Sequence, residues 1–200
     1  MARRYCSNCL FPEKTCICAL VAQFQTISYS GAIHVLQHPD EIQHSKNTLR
    51  LVKQLLPSIQ IWCGEAATDF SALTQLTEKQ PHQWGCFFPT ANSHPQSVAQ
   101  PDLPSCNLIY IDATWRKARK IWHLNPWLWD IPCYRLTEAP VGQYRIRKNH
   151  APGQLSTLEA IAYSLENVIN TQDLLTLFEQ FQQRTESFSA TGPDNPSLQE

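Results

Sequence analysis

A carboxylate, a hydroxyl and an indole stand together at Asp112-Ala113-Thr114-Trp115, where the apolar run Leu108-Ile109-Tyr110-Ile111 gives way to Arg116-Lys117-Ala118-Arg119-Lys120. The apolar run reads as a buried strand, so the tetrapeptide falls at a strand's carboxyl end, where open α/β sheets bind their ligands. The first turn of a helix favours acids, because the macrodipole leaves partial positive charge there. Cations in that position imply an anionic partner that offsets the cost. Thr114 can also act simply as the helix N-cap, but capping accounts for neither Trp115 nor the four cations.

A second constellation is Cys6-x-x-Cys9 and Cys16-x-Cys18, two cysteine pairs separated by six residues. Four thiolates close a tetrahedral zinc shell, and a turn at Pro12 would bring the pairs together. The second pair has one intervening residue where a standard ribbon has two. A closed four-sulfur shell leaves no open position, so the expected zinc is structural. Reduced core cysteines are the alternative, weakened by the neighbouring Arg3, Arg4 and Lys14, which are poor core residues. Cys63, Cys86, Cys106 and Cys133 stand singly in or beside apolar runs and read as small core residues.

Two further segments carry polar groups at element ends. His38-Pro39-Asp40-Glu41 follows an apolar stretch, and Ser45 is placed to cap a helix whose apolar positions Leu49, Val52, Leu55 and Leu56 recur at helical spacing. Tyr144-Arg145-Ile146-Arg147-Lys148 offers alternate cations ahead of Ser156-Thr157-Leu158-Glu159, which has the form of a capping box. The amides at that helix mouth, with Arg145 and Arg147, can receive a carboxylate or phosphate.

The elements that would position these groups alternate in type. Strands are expected near Gly31–Leu36, Ile59–Cys63, Gly85–Phe88, Leu108–Ile111 and Cys133–Leu136, and helices at Lys46–Leu56, Asp69–Thr77, Trp115–His123, Thr157–Asn167 and Gln172–Phe188. This is the pattern of an α/β domain with a mainly parallel sheet and flanking helices. Thr90 to Cys106 is polar and proline-rich and is expected to be a long surface loop. The organisation is a cysteine-rich head over residues 1–24, an α/β catalytic domain over 25–188, and a disordered tail over 189–200.

Composition narrows the function classes. Net charge is −1, so the chain as a whole is not nucleic-acid-like, yet eight of its sixteen lysines and arginines lie between Arg116 and Lys148, answered there only by Asp130 and Glu138. A local basic face follows. The start of the chain has no apolar core of a signal peptide, and Ile17 to Phe24 is far too short to span a bilayer, so a cytoplasmic protein without membrane association is expected. No G-x-G-x-x-G follows the first strand and no P-loop is present, so an adenosine-containing ligand would need another loop geometry.

Taken together, the cysteine head, His38…Glu41…Asn47-Thr48, Phe88-Pro89, Asp112-Ala113-Thr114-Trp115, Tyr144…Arg147-Lys148 and Ser156-Thr157-Leu158-Glu159-Ala160 resemble the DTW-domain family, from Cys6 to about Asn167. That resemblance implies an S-adenosylmethionine-dependent tRNA-uridine aminocarboxypropyltransferase, moving the 3-amino-3-carboxypropyl group to N3 of a uridine in tRNA and releasing methylthioadenosine. It also implies a SPOUT-like fold, compatible with an α/β knot, by analogy alone. Asp112, Thr114 and Trp115 would then be catalytic. Phe88, Pro89, Arg145, Arg147, Ser156, Thr157 and Glu159 would hold the cofactor, and Arg116, Lys117, Arg119, Lys120 and Lys148 would meet RNA phosphates. Asp112 can serve as the base for the N3 proton or as the ligand of the donor's ammonium group, and Trp115 can desolvate Asp112 or stack on a base. Two other readings remain at this point: a SPOUT-like RNA methyltransferase, leaving S-adenosylhomocysteine, and a non-enzymatic zinc-containing RNA-binding module.

Overall fold

A computed structural model of the chain describes residues 4–44, 46–90, 94–96, 105–136, 142–146 and 155–190, with the backbone alone for 94–96, 189 and 190. In chain order the elements are α1 (Cys18–Val21), β1 (Ile33–Gln37), α2 (Leu49–Leu55), β2 (Gln60–Cys63), α3 (Ser71–Lys79), β3 (Trp84–Phe87), β4 (His94–Gln96), β5 (Asn107–Asp112), α4 (Trp115–Leu124), β6 (Cys133–Leu136), α5 (Thr157–Leu165) and α6 (Gln172–Ala190). The strands form one parallel sheet in the order β2-β1-β5-β3-β6-β4. β5 is inserted between β1 and β3, which sets Gln37 beside Asp112 in register at the carboxyl end.

Alternation along the strands divides the interior in two. Ile33 and Val35 of β1 and Leu108 and Tyr110 of β5 face a core shared with α2, α5 and α6, whereas Leu36 and Ile109 face a second core with Phe70, Leu73, Ile121 and Leu128. Side chains two residues apart share a face of a strand, so one sheet serves both layers. Tyr110 is buried to its hydroxyl, which bonds Ser164 Oγ at 2.6 Å and ties β5 to α5. Gly31 is required just before β1: a Cβ there would lie 2.1 Å from the carbonyl oxygen of Cys106.

The cysteine head joins the first core. Phe11 and Ile17 are fully buried, and the Phe11 ring centroid lies 4.9 Å from that of Phe181 in α6.

Several expectations are revised. The α2 helix begins at Leu49, and its first free amide, Leu49 N, is received by Asn47 Oδ1 at 2.8 Å; Ser45 lies outside the described residues. The segment expected to be a long loop contains β4, paired with β6, and its remaining residues 91–93 and 97–104 lie outside the described residues. Strand β4 carries Pro95 among polar neighbours and was invisible to periodicity, in keeping with a short strand at the sheet margin. Cys63 is exposed and not a core residue, because β2 is the outer strand. Residues 191–200, expected as a disordered tail, lie outside the described residues, and α6 runs two residues beyond its expected end at Phe188. Among the described residues no helix is long and apolar enough to cross a membrane.

Candidate functional site

Asp112 ends β5, and both of its carboxylate oxygens accept short hydrogen bonds. Gln37 Nε2 donates to Oδ2 at 2.7 Å, and Thr157 Oγ1 donates to Oδ1 at 2.6 Å. Gln37 is there because β1 and β5 are neighbours in register; Thr157 is there because α5 starts above their carboxyl ends. The two bonds fix the carboxylate plane, and Asp112 is only 9% exposed.

The carboxylate faces a cavity of about 30 Å³ lined by Asp112, Glu41, His44, Lys46, Asn47, Thr48, Tyr144, Ser156 and Thr157. Two loops close it and hold each other. Tyr144 Oη donates to the Lys46 carbonyl, and Lys46 Nζ donates to the Ile146 carbonyl at 2.5 Å. Asn47 Nδ2 holds the Glu41 carbonyl at 2.7 Å while its Oδ1 starts α2. Arg50 reaches the carbonyls of Ile42 and of Leu10, the latter at 2.7 Å, so the loop bearing Glu41 is fastened to the cysteine head.

The mouth of α5 is built as its sequence predicts. Ser156 Oγ accepts from Glu159 N at 3.3 Å, and Glu159 Oε2 accepts from Ser156 N at 2.7 Å. Glu159 is completely buried and also receives Gln143 N at 2.5 Å, so it fastens the Tyr144 loop as well as the helix. Ser156 and Thr157 line the cavity; Glu159 acts behind them.

The sulfurs of Cys6, Cys9, Cys16 and Cys18 all lie within 4.8 Å of one another and can hold a metal ion. Cys6 to Cys18 and Cys9 to Cys16 are each 3.7 Å apart, close to the edge of about 3.8 Å expected for a tetrahedron with metal–sulfur bonds of about 2.3 Å. The donor set therefore fits a closed four-thiolate shell. The backbone amides of Cys9 and Asn8, with the Cys16 side chain, pull the Cys6 thiol down to about 6, whereas burial pushes the Cys9 thiol up. Leu10, at φ 60°, turns the chain between the pairs.

A model of the DTW domain matches residues 3–186. The chain belongs to the DTW-domain family. Among curated relatives of this DTW chain is tRNA-uridine aminocarboxypropyltransferase 2 of Macaca fascicularis, 27% identical over 168 residues. The proteins of the same name from Mus musculus and Drosophila melanogaster are 27% and 28% identical over 169 and 166 residues. Each alignment covers 82% of the chain, which spans 56%, 56% and 66% of the relatives' own lengths. No solved structure matches.

The other positions expected in the DTW site are scattered around this centre. Thr114 sits at the N-cap of α4 but its side chain makes no cap hydrogen bond. Trp115 is half-buried, 6.1 Å from the Phe88 ring, and Phe88 belongs to the second core with exposed Pro89 beside it. Lys117 is paired with Asp40 at 2.9 Å and with Glu41 at 3.7 Å, and Lys120 with Glu65 at 2.8 Å, whereas Arg116 and Arg119 are exposed. Arg145 is engaged by Glu179 at 2.8 Å and Glu186 at 3.6 Å on α6 and does not line the cavity. Arg147 and Lys148 lie outside the described residues. His38 also sits off the cavity: its Nδ1 accepts from Asp40 N, and its Nε2 meets Glu65 at 3.1 Å. Sequence reasoning missed Gln37 and Lys46. The only local signal for Gln37 was a polar residue closing an apolar strand, and for Lys46 there was none.

Proposed function

We propose that this DTW chain transfers the 3-amino-3-carboxypropyl group of S-adenosylmethionine to N3 of a uridine in cytoplasmic tRNA. The observation that carries the reading is the polar cavity at the carboxyl ends of β1 and β5, with Asp112 fixed at its rim, in a chain similar over 82% of its length to enzymes named for this transfer. In balance, a bond forms between N3 and the γ-methylene of the donor, the bond from that carbon to sulfur breaks, the N3 proton passes to solvent water, and methylthioadenosine departs. When bound, the donor supplies an electrophilic carbon attached to a cationic sulfur.

The residues lining the cavity suit the amino-acid end of that donor. Asp112 and Glu41 would hold the ammonium, and Lys46 with the first turn of α5 would hold the carboxylate. A carboxylate fixed by two donors and 9% exposed is better suited to electrostatic binding than to following an RNA base for its proton. Uridine N3 lies on the Watson–Crick edge, so the base must be unpaired or turned out. A donor held beside strand ends without a glycine-rich loop is in keeping with a SPOUT-like chain path. In the head, zinc is the metal that the four thiolates suit, in a structural role.

The test is nucleoside mass spectrometry of tRNA from cells lacking this protein and from complemented cells, paired with by-product analysis of the purified reaction. Loss and return of the aminocarboxypropyl uridine, with methylthioadenosine formed, is the expected result. S-adenosylhomocysteine would instead mark a methyltransferase, and no modified nucleoside with intact tRNA binding would mark a non-enzymatic RNA-binding protein.

A further inference from the structure

The geometry points to the flank of α4 that carries Trp115, Arg119 and Trp122, with Trp129 beyond its end, as a surface on which an unpaired stretch of RNA stacks on its way to the cavity. This rests on the reading of tRNA as the substrate. Residues i, i+4 and i+7 share one stripe of a helix, so Arg119 lies between the two indoles, with Arg116 adjoining and Ala118 and Ile121 buried on another side. Trp115 and Trp122 are partly buried and rest on Phe88 of the second core, 6.1 Å and 5.1 Å away, the latter pair stacked at 23°. Trp129 Nε1 donates to the Trp122 carbonyl at 3.3 Å, and Trp129 is 54% exposed.

Charge separates this flank from the opposite one. Lys117 and Lys120 point to Asp40, Glu41 and Glu65 and are largely neutralised, while Arg116 and Arg119 enter no ion pair among the described residues. The helix itself contains no acid. Indoles beside unpaired guanidinium groups match the π-faces and phosphates of single-stranded RNA, which is bound by stacking and backbone contacts. Trp115 to Trp122 spans about 10 Å of helix, about three bases at the ~3.4 Å stacked repeat. The stripe starts three residues after Asp112, which lines the cavity. The cations of α4 thus divide into an RNA-facing arginine pair and a lysine pair that secures the loops after β1 and β2.

The experiment titrates a twelve-nucleotide oligouridine and unfractionated tRNA at several salt concentrations, using the full chain and variants whose circular dichroism matches it. R116A/R119A is expected to reduce the log–log salt slope by about 1.4, from two phosphates at about 0.7 each. K117A/K120A is expected to change the slope by less than half of that. W129A should weaken oligouridine binding about 10-fold with the slope unchanged, and W122F, which keeps a stacking ring, should weaken it less. Slope loss on the lysine pair instead of the arginines, or wild-type binding by W129A, overturns the proposal. So does a dimer that W129A dissolves in light scattering, which would make the flank a contact between copies. Mass spectrometry of the same tRNA separates the two readings. Uridine modified while R116A/R119A and W129A bind normally sinks the stripe alone; unmodified tRNA with the arginine and tryptophan effects present sinks the enzymatic reading and leaves the stripe standing.

Discussion

Replacing Asp112 by Asn removes one charge and keeps the shape, and the consequences separate its two roles. The Gln37 amide can turn to present its oxygen and the Thr157 hydroxyl can rotate, so these two hydrogen bonds can be kept. Two hydrogen bonds to a charged acceptor, each contributing about 1.5–3 kcal/mol, become two neutral ones of about 0.5–1.5 kcal/mol. Against that loss of about 2–3 kcal/mol stands relief from holding a charge that is 9% exposed, a penalty of several kcal/mol for buried ions. The two effects nearly offset, and the thermal midpoint should move by no more than about 4 °C for a chain of this size. Donor binding has no such compensation. An ammonium that loses a charged hydrogen bond of about 1.5–3 kcal/mol binds about 10- to 150-fold more weakly. Calorimetric titration of S-adenosylmethionine into D112N reads this directly, and Thr157→Val, which only loosens the carboxylate, should show a smaller rise in Kd. Unchanged donor affinity with turnover abolished would refute the argument and assign Asp112 to the proton on N3. Unchanged affinity and unchanged turnover would remove it from the site altogether.

Three other outcomes follow from the same structure. The full chain should carry one metal ion per molecule by elemental analysis, and Cys9→Ser should lose it and lower the single unfolding midpoint of the whole chain, because Phe11 and Ile17 share the core with α6; a metal-free chain of unaltered midpoint would contradict this. Leu10→Gly relieves a left-handed residue at φ 60° that costs an L-side chain about 1–2 kcal/mol, so the midpoint should rise by about 2–8 °C, and a fall would show that the Leu10 side chain matters more than its backbone. Burial pushes the His34 imidazole from 6.5 down to about 4, with Trp62 Nε1 donating to its Nδ1 at 3.0 Å. Because the folded pKa lies below the unfolded one, this stability is complete above about pH 6.5 and is lost as pH falls toward 4, about 3 kcal/mol in all. Urea midpoints at pH 7 and 4.5 should therefore converge in His34→Gln, and an equal acid loss in that variant would place the titration elsewhere.

Much of the framework was legible because it depends on neighbours in sequence. Cys133–Leu136 was placed to the residue, the other expected strands to within two residues, and α4 from the run behind Asp112, since side-chain periods of two and about 3.6 are local properties. The Ser156–Glu159 box is likewise a matter of four consecutive residues satisfying their own amides. Short, polar β4 has no period to detect, and the start of α2 was set by Asn47, one of several residues with the right chemistry for a cap.

By itself, the sequence determined the family, the four-cysteine cluster and the presence of a carboxylate at the end of a buried strand. Tertiary structure alone decided what that carboxylate meets. Gln37 and Thr157 lie 75 and 45 residues from Asp112 and reach it because β1 adjoins β5 and α5 packs against β5. It also decided which cations are neutralised: Asp40 and Glu65 reach Lys117 and Lys120 only once the strand order brings the ends of β1 and β2 alongside α4. Coulomb energy depends on distance through space, and separation along the chain leaves that distance undetermined.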